Sequence, residues 1–234
     1  MATTGHTVKA FDEDLEELRA LVAEMGGLAE AAIDGAINAL VRRDLDGAAR
    51  VVEDDHRIDE LEAELERRVL RLVALRAPLA DDLREVLAAL KISSVVERIG
   101  DYAKNIAKRV PLLQDSHGIG PMAILPAMAR AAAEMVHDVL DAYAARDVEA
   151  AVEITRRDRT VDDLYNSLFR ALLTYMMENP SNIGASTHLL FIAKNLERIG
   201  DHATNVAEMV YFAATGEQMA DRPRGADALA PGAD

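Results

Sequence analysis

The chain has 234 residues, enough for one large or two small domains, is half hydrophobic with few aromatics, and carries a formal charge of −15. That acidity disfavours nucleic acid and anionic membrane surfaces as partners and fits cation binding or plain solubility. With no cysteine, disulfides, thiolate catalysis and thiolate metal sites are excluded, and a reducing compartment is compatible.

Ala, Leu and Val are plentiful and Glu and Arg abundant, a mixture that favours helices. The N-terminal stretch MATTGHTVKAFDEDLEELRA has no long apolar run and does not read as a signal peptide. No window reaches the roughly 18 apolar residues of a membrane span, so a cytoplasmic protein without membrane insertion is expected. Six long helices are predicted. The first runs from about Phe11 to Arg43. Asp44 or Asp46 caps the second, which runs to about Arg76 before Pro78 breaks the chain. The third spans about Asp81 to Val110 and is closed by Pro111; QDSHGIGP, residues 114–121, is then a linker. The fourth runs from about Met122 to Ala145, the fifth from Asp147 to near Glu178, and the sixth from about Ile183 to Ala214, where Gly216 stops it. Residues 216–234 are polar and are expected to be disordered.

The halves repeat. ERIGD occurs at Glu97–Asp101 and again at Glu197–Asp201, inside SVVERIGDYAKNIAKRV and KNLERIGDHATNVAEMV, which align without a gap. Upstream, DHRIDEL (Asp55–Leu61) aligns with DRTVDDL (Asp158–Leu164). Helices this long need partners for their apolar stripes. The expected fold is therefore all-α: a tandem duplication of two three-helix bundles, residues 1–115 and 116–215, related by an approximate internal two-fold.

A helix turns about 100° per residue. In the third helix this gathers Ile92, Val95, Val96, Ile99, Ala103, Ile106 and Val110 into a core stripe. The opposite face begins apolar, with Leu83, Val86, Leu87 and Leu90, and continues as Ser94, Glu97, Asp101 and Asn105. The sixth helix repeats the change at Glu197, Asp201 and Asn205. On the second helix Asp55 and Asp59 flank the stripe of Ile58, Leu61, Leu65, Val69 and Leu72; on the fifth, Asp158 and Asp162 take the same angular position. Four acid pairs at i, i+4 result. Like charges at that spacing cost a helix a few tenths of a kcal/mol per pair, and a solvated face tolerates one such pair. Two pairs per half, on matching faces, point to cation binding. Carboxylates from adjacent helices suit Mg²⁺, Mn²⁺ or Ca²⁺, carboxylate bridges also hold iron, and zinc on carboxylates is a further option. His202 offers a nitrogen ligand in the second half only. Gly100 and Gly200 sit beside the acids at a cost of up to about 1 kcal/mol each relative to Ala, which suggests that something approaches the helix backbone closely there.

Two E-x-x-H sequences, Glu53–His56 and Glu134–His137, match the element of ferritin-like di-iron proteins. The helical wheel points Glu134, His137 and His56 away from their core stripes, so they are not expected to converge in a bundle interior. No glycine-rich phosphate loop and no G-x-S-x-G is present.

The duplicated ERIGD, with D-x-x-x-D upstream of each copy, resembles the PhoU family (PhoY in some actinobacteria), from about Thr7 to Gly216. EMGG at Glu24–Gly27, LTYMMENP at Leu173–Pro180 and HDVLDAYAARDVEAAV at His137–Val152 are also similar to that family. The resemblance implies a cytosolic negative regulator of phosphate uptake and of the phosphate-starvation response, linking an ABC-type phosphate transporter ATPase to a membrane sensor histidine kinase. It implies a homodimer and bound metal ions: iron or zinc in some members, magnesium or manganese in others. Carried onto this sequence, the metal ligands are Asp55, Asp59, Glu97, Asp101, Asp158, Asp162, Glu197 and Asp201. Asn105 and Asn205 match family positions; His56, His137 and His202 are not carried over. The expected protein is not an enzyme. The competing expectation is a carboxylate-bridged metalloenzyme, a phosphoester hydrolase or an oxidase, which would need an open coordination position and a substrate pocket.

Overall fold

In the computed structural model, which describes residues 3–116 and 119–219, the regular elements are helices: α1 (Thr3–Arg42), α2 (Leu45–Asp54), α3 (His56–Arg76), α4 (Asp81–Ala107), α5 (Leu125–Ala145), α6 (Val148–Glu178) and α7 (Ile183–Thr215). Short 3₁₀ turns at Pro111–Leu113, Gly120–Ile124 and Pro180–Asn182 join them, and no strand occurs among the described residues. The six predicted helices are all present, with two differences. The first begins at Thr3 rather than near Phe11; once a packed helix exists, each added residue costs little and gains a hydrogen bond. The second is interrupted at Asp55, where the Ile58 N–H bonds the Asp55 carbonyl at 2.9 Å, a tighter i→i+3 step, before the helix resumes. Its counterpart α6 runs through Asp158 unbroken. The expected disorder of 216–234 falls mostly on residues 220–234, outside those described.

The duplication is legible in the backbone. Asp44 and Asp147 cap α2 and α6 in the same extended conformation, accepting from the N–H of Gly47 and Ala150, each at 2.9 Å. Each cap follows an arginine in the left-handed region, Arg43 (φ 57°) or Arg146 (φ 55°). Gly216 ends α7 as predicted, at φ 75°, its N–H on the Phe212 carbonyl.

α1, α3 and α4 pack together, with α2 against α1 and α4; α5, α6 and α7 form the second bundle. The bundles join through α4 on α7 and α1 on α5. The equivalent Tyr102 and His202 stack across the first joint, ring centroids 5.4 Å apart. Arg109, near the end of α4, lies over Phe191 and 3.2 Å from His188 in the earlier part of α7, so the two helices run antiparallel. At the other joint α1 and α5 approach so closely that a Cβ on Gly26, in EMGG, would stand 2.2 Å from Leu140 Cδ1. The predicted stripes are the core: Ile92, Val96, Ile99, Ala103 and Ile106 of α4 and Ile58, Leu61, Leu65, Val69 and Leu72 of α3 are buried. Each large one is worth roughly 1.5–3 kcal/mol of transfer free energy. A largely buried carboxylate, Glu85 of α4, adds a polar tie, pairing with Arg19 of α1 at 2.5 Å and with Arg146 at the α5–α6 corner.

Candidate functional site

The core stripes fix how α3 faces α4 and how α6 faces α7, and so which carboxylates meet. In the first half, α3 lies so close to α4 that a Cβ on Gly100 would stand 2.8 Å from Ile58 Cδ1 and 3.4 Å from Asp55 Oδ1. In the second half, a Cβ on Gly200 would stand 3.3 Å from Asp158 Oδ1 and 3.5 Å from Val161 Cγ1. What approaches the backbone at each ERIGD glycine is thus the first aspartate of the upstream pair and the aliphatic residue three positions on. The same contact is built twice from aligned residues.

Asp55 is 4% exposed, more enclosed than a residue flanking a helix stripe. Its enclosure follows from its place at the helix interruption, against Gly100. Asp59, Glu97 and Asp101 are half-buried beside it; in the second half Asp158, Asp162 and Glu197 are half-buried and Asp201 is exposed. Burial raises the Glu97 carboxyl to about 7, reinforced by the charges of Asp101, Glu62, Asp59 and Asp55. The four acids predicted for the first half therefore share one electrostatic neighbourhood, and Glu62 is a fifth. Glu62 stands one turn beyond Asp59 on α3, a spacing that would have revealed it.

Two lysines also escaped sequence reasoning. Lys104 of α4 bridges the helices, its Nζ 2.5 Å from Asp55 Oδ2 and paired also with Asp101. Burial works against this ammonium, but its bonds to Asp101 and Asp55 outweigh that and hold its pKa above the ordinary lysine value. In the second half Lys194 pairs with Glu197, at 2.6 Å from Oε1, and lies 5.5 Å from the Tyr165 ring centroid. The aligned positions differ in each case: Lys104 matches Thr204, Lys194 matches Ser94, and Glu62 matches Tyr165.

His202, the optional nitrogen ligand, is engaged elsewhere. Its Nε2 is 3.1 Å from Tyr102 Oη and its Nδ1 is 3.4 Å from the Asn205 amide nitrogen. Burial, then the charges of Arg98 and Arg198, lowers its pKa. Neither E-x-x-H converges on a bundle interior. The His56 side chain is 86% exposed, while Glu134 pairs with Arg157 and His137 meets Glu30 in the groove between α1 and α5.

The donor set is all oxygen, which suits hard divalent cations. In the first half Asp55 and Asp101 share the Lys104 ammonium, and Asp59, Glu62 and Glu97 lie in the same electrostatic neighbourhood. Among the described residues no three Asp, Glu or His side chains are gathered closely enough to hold a metal ion.

Comparison with known proteins agrees with this architecture. The family model described as the PhoU domain matches residues 22–110 and again 125–210, one match per bundle. The chain is 61% identical over 226 residues to the phosphate-specific transport system accessory protein PhoU homolog of Zymomonas mobilis, covering 97% of this chain and 95% of that protein. It is 50% identical over 226 residues to the homolog from Caulobacter vibrioides, covering 94% and 97%. Among solved structures, PhoU from Pseudomonas aeruginosa superposes with a TM-score of 0.85 at 35% identity, covering 88% of this chain and 100% of that one. The phosphate transport system regulatory protein PhoU from Streptococcus pneumoniae gives 0.83 at 29%, covering 89% and 99%. With two family matches on two aligned bundles, and the motifs that carry them packed alike, the chain belongs to the PhoU family.

Proposed function

We propose that this protein is a non-enzymatic accessory and negative regulator of phosphate uptake and of the phosphate-starvation response. In this reading it is cytoplasmic, forms a homodimer, and links the transporter's ATPase to a sensor histidine kinase. Support comes from relatives of near-equal length described as phosphate transport accessory proteins. No helix among the described residues is long and apolar enough to cross a membrane. The units of action are the two bundles, 1–115 and 116–215.

Asp55, Asp59, Glu97 and Asp101, and in the second half Asp158, Asp162, Glu197 and Asp201, would hold divalent metal ions: magnesium, manganese, iron or zinc. The observation that supports this is the repeated seating of Asp55 on Gly100 and of Asp158 on Gly200, which brings the first aspartate of each upstream pair onto the helix that carries ERIGD. When bound, the metal supplies positive charge on which a partner's carboxylate or a phosphate oxygen can dock. The protein's own part is to hold the acids on rigid helices and to present Asp101 and Asp201 toward solvent.

The test is a pull-down from phosphate-replete cells with wild type and with Glu97→Ala/Glu197→Ala, alongside elemental analysis. Wild type is expected to recover transporter ATPase or kinase and to carry metal, and the double variant to lose both while staying helical. Recovery of neither partner by wild type overturns the linking role. Undiminished metal in the double variant overturns the ligand assignment. Turnover of a phosphomonoester by metal-loaded protein, abolished in Asp101→Ala, would establish a hydrolase instead.

A further inference from the structure

We infer that the seam where α4 meets α7 is a docking surface for an acidic amphipathic helix of a partner protein, held by Lys91, Arg98, Arg109 and Arg198. The inference uses none of the proposed metal ligands and stands apart from the metal reading above.

Three observations carry it. First, the arginine of each ERIGD is exposed, and the packing that accounts for its neighbours does not account for it. Ile99 and Ile199 fill the core, and Gly100 and Gly200 receive the upstream aspartates. Arg98 and Arg198 instead flank the Tyr102–His202 stack: the Arg198 guanidinium stands 5.8 Å from the Tyr102 ring centroid, and the charges of both arginines reach His202. Second, α4 lays its cations in a row. Lys91 and Arg98 are seven residues apart and Arg109, just past the last turn, is eleven further on. At 100° per residue the three fall within about 20° of one line and span about 27 Å. Arg109 is fixed on the seam, 4.3 Å from the Phe191 ring centroid and 3.2 Å from His188 Nδ1, with its Nε buried and making no hydrogen bond. Among the described residues none of Lys91, Arg98, Arg109 and Arg198 is in an ion pair. Asp101 and Asp201 stand about 60° further round their helices, and Asp101 is paired with Lys104. Third, the row is interleaved with exposed apolar side chains. Leu87, one turn before Lys91, is 42% exposed, and Phe191 across the seam is 50% exposed.

In a chain of charge −15, a line of cations without carboxylate partners is where the surface potential favours an acidic ligand. A small anion needs donors that converge on one point. A line about 27 Å long, with apolar contacts beside it, matches instead the carboxylates and leucines along one face of about five helical turns. Guanidinium groups supply forked, charge-assisted hydrogen bonds to such carboxylates.

The experiment follows the fluorescence anisotropy of a fluorescein-labelled amphipathic peptide of Glu and Leu, about 20 residues long to match the row, as purified full-length protein is added in chelator at low salt. Wild type, Arg98→Gln/Arg198→Gln and Arg67→Gln/Arg71→Gln are compared. The last pair removes the same charge from exposed arginines of α3 and so controls for net charge. Wild type is expected to bind, more weakly as salt rises. Arg98→Gln/Arg198→Gln should weaken binding at least about fivefold, and the α3 pair less than about twofold, since an exposed ion pair contributes up to roughly fivefold only where it forms. Failure of wild type to bind the peptide at low salt overturns the inference, as does equal weakening by the two double variants. Inorganic phosphate, added at constant ionic strength, should leave the peptide bound. Displacement by phosphate that depends on Arg98 and Arg198 would make the seam a small-anion site and overturn the helix assignment. Should Arg98→Gln/Arg198→Gln melt below wild type, Lys91→Gln, which alters one exposed side chain at the end of the row, takes its place.

Discussion

Gly100→Ala and Gly200→Ala are the same substitution at aligned positions, yet they should not have the same effect. In an open helix each would gain up to about 1 kcal/mol from propensity alone. At Gly100 the new Cβ would stand 2.8 Å from Ile58 Cδ1, well inside the roughly 3.5–4.0 Å of favourable carbon contact. Ile58 is 1% exposed, so its end methyl has little room to retreat. On the other side Asp55 Oδ1 lies at 3.4 Å, and that carboxylate is held by Lys104. Overpacking of this kind costs about 1–3 kcal/mol. Set against the propensity gain, Gly100→Ala is expected to destabilise by about 1 kcal/mol, with a range of about 0–2. At Gly200 the nearest atoms are Asp158 Oδ1 at 3.3 Å, which need give by only a few tenths of an ångström on the half-buried Asp158, and Val161 Cγ1 at an ordinary 3.5 Å, so with no contact as close as the one to Ile58, Gly200→Ala should be neutral or stabilising by up to about 1 kcal/mol. Urea unfolding followed by circular dichroism, in chelator, measures the difference, expected near 1–2 kcal/mol. Equal stabilisation by both, or a larger loss at Gly200, would refute the close seating of Ile58 and Asp55 on α4.

Glu97, raised to about 7 in the fold, contributes stability that is fully present below its unfolded value near 4.5 and is lost as pH rises through about 7. Burial, then the charges of Asp101, Glu62, Asp59 and Asp55, disfavours its ionisation. In chelator, Glu97→Gln should therefore melt higher than wild type at pH 8 and no higher at pH 4.5; equal melting at pH 8 would contradict the crowding of acids. Glu85→Ala leaves Arg19 and Arg146 without their shared partner. Because both guanidiniums are partly solvated, the loss should be about 1–2 kcal/mol in urea unfolding, below that for a fully buried pair; a change under about 0.5 kcal/mol would show the tie to be idle. Asp147→Ala removes the cap on Ala150 and should cost about 1 kcal/mol by the same measurement.

The sequence alone determined the all-α duplicated architecture, because apolar spacing at the helical period, the repeated motifs and the breaks at Pro78, Asp147 and Gly216 are local signals that tertiary packing only had to respect. It also determined that the aspartate of each upstream pair and the acids of each ERIGD lie on corresponding faces, since register along a helix is fixed by residue count. Only the tertiary structure decided that Asp55 is enclosed and seated on Gly100, because the gap between two helices depends on the side chains of both. Only it decided that Lys104 bridges Asp55 and Asp101 while Lys194 turns to Glu197. A long flexible side chain has several carboxylates within reach on its own helix, and the neighbouring helix settles which of them it holds.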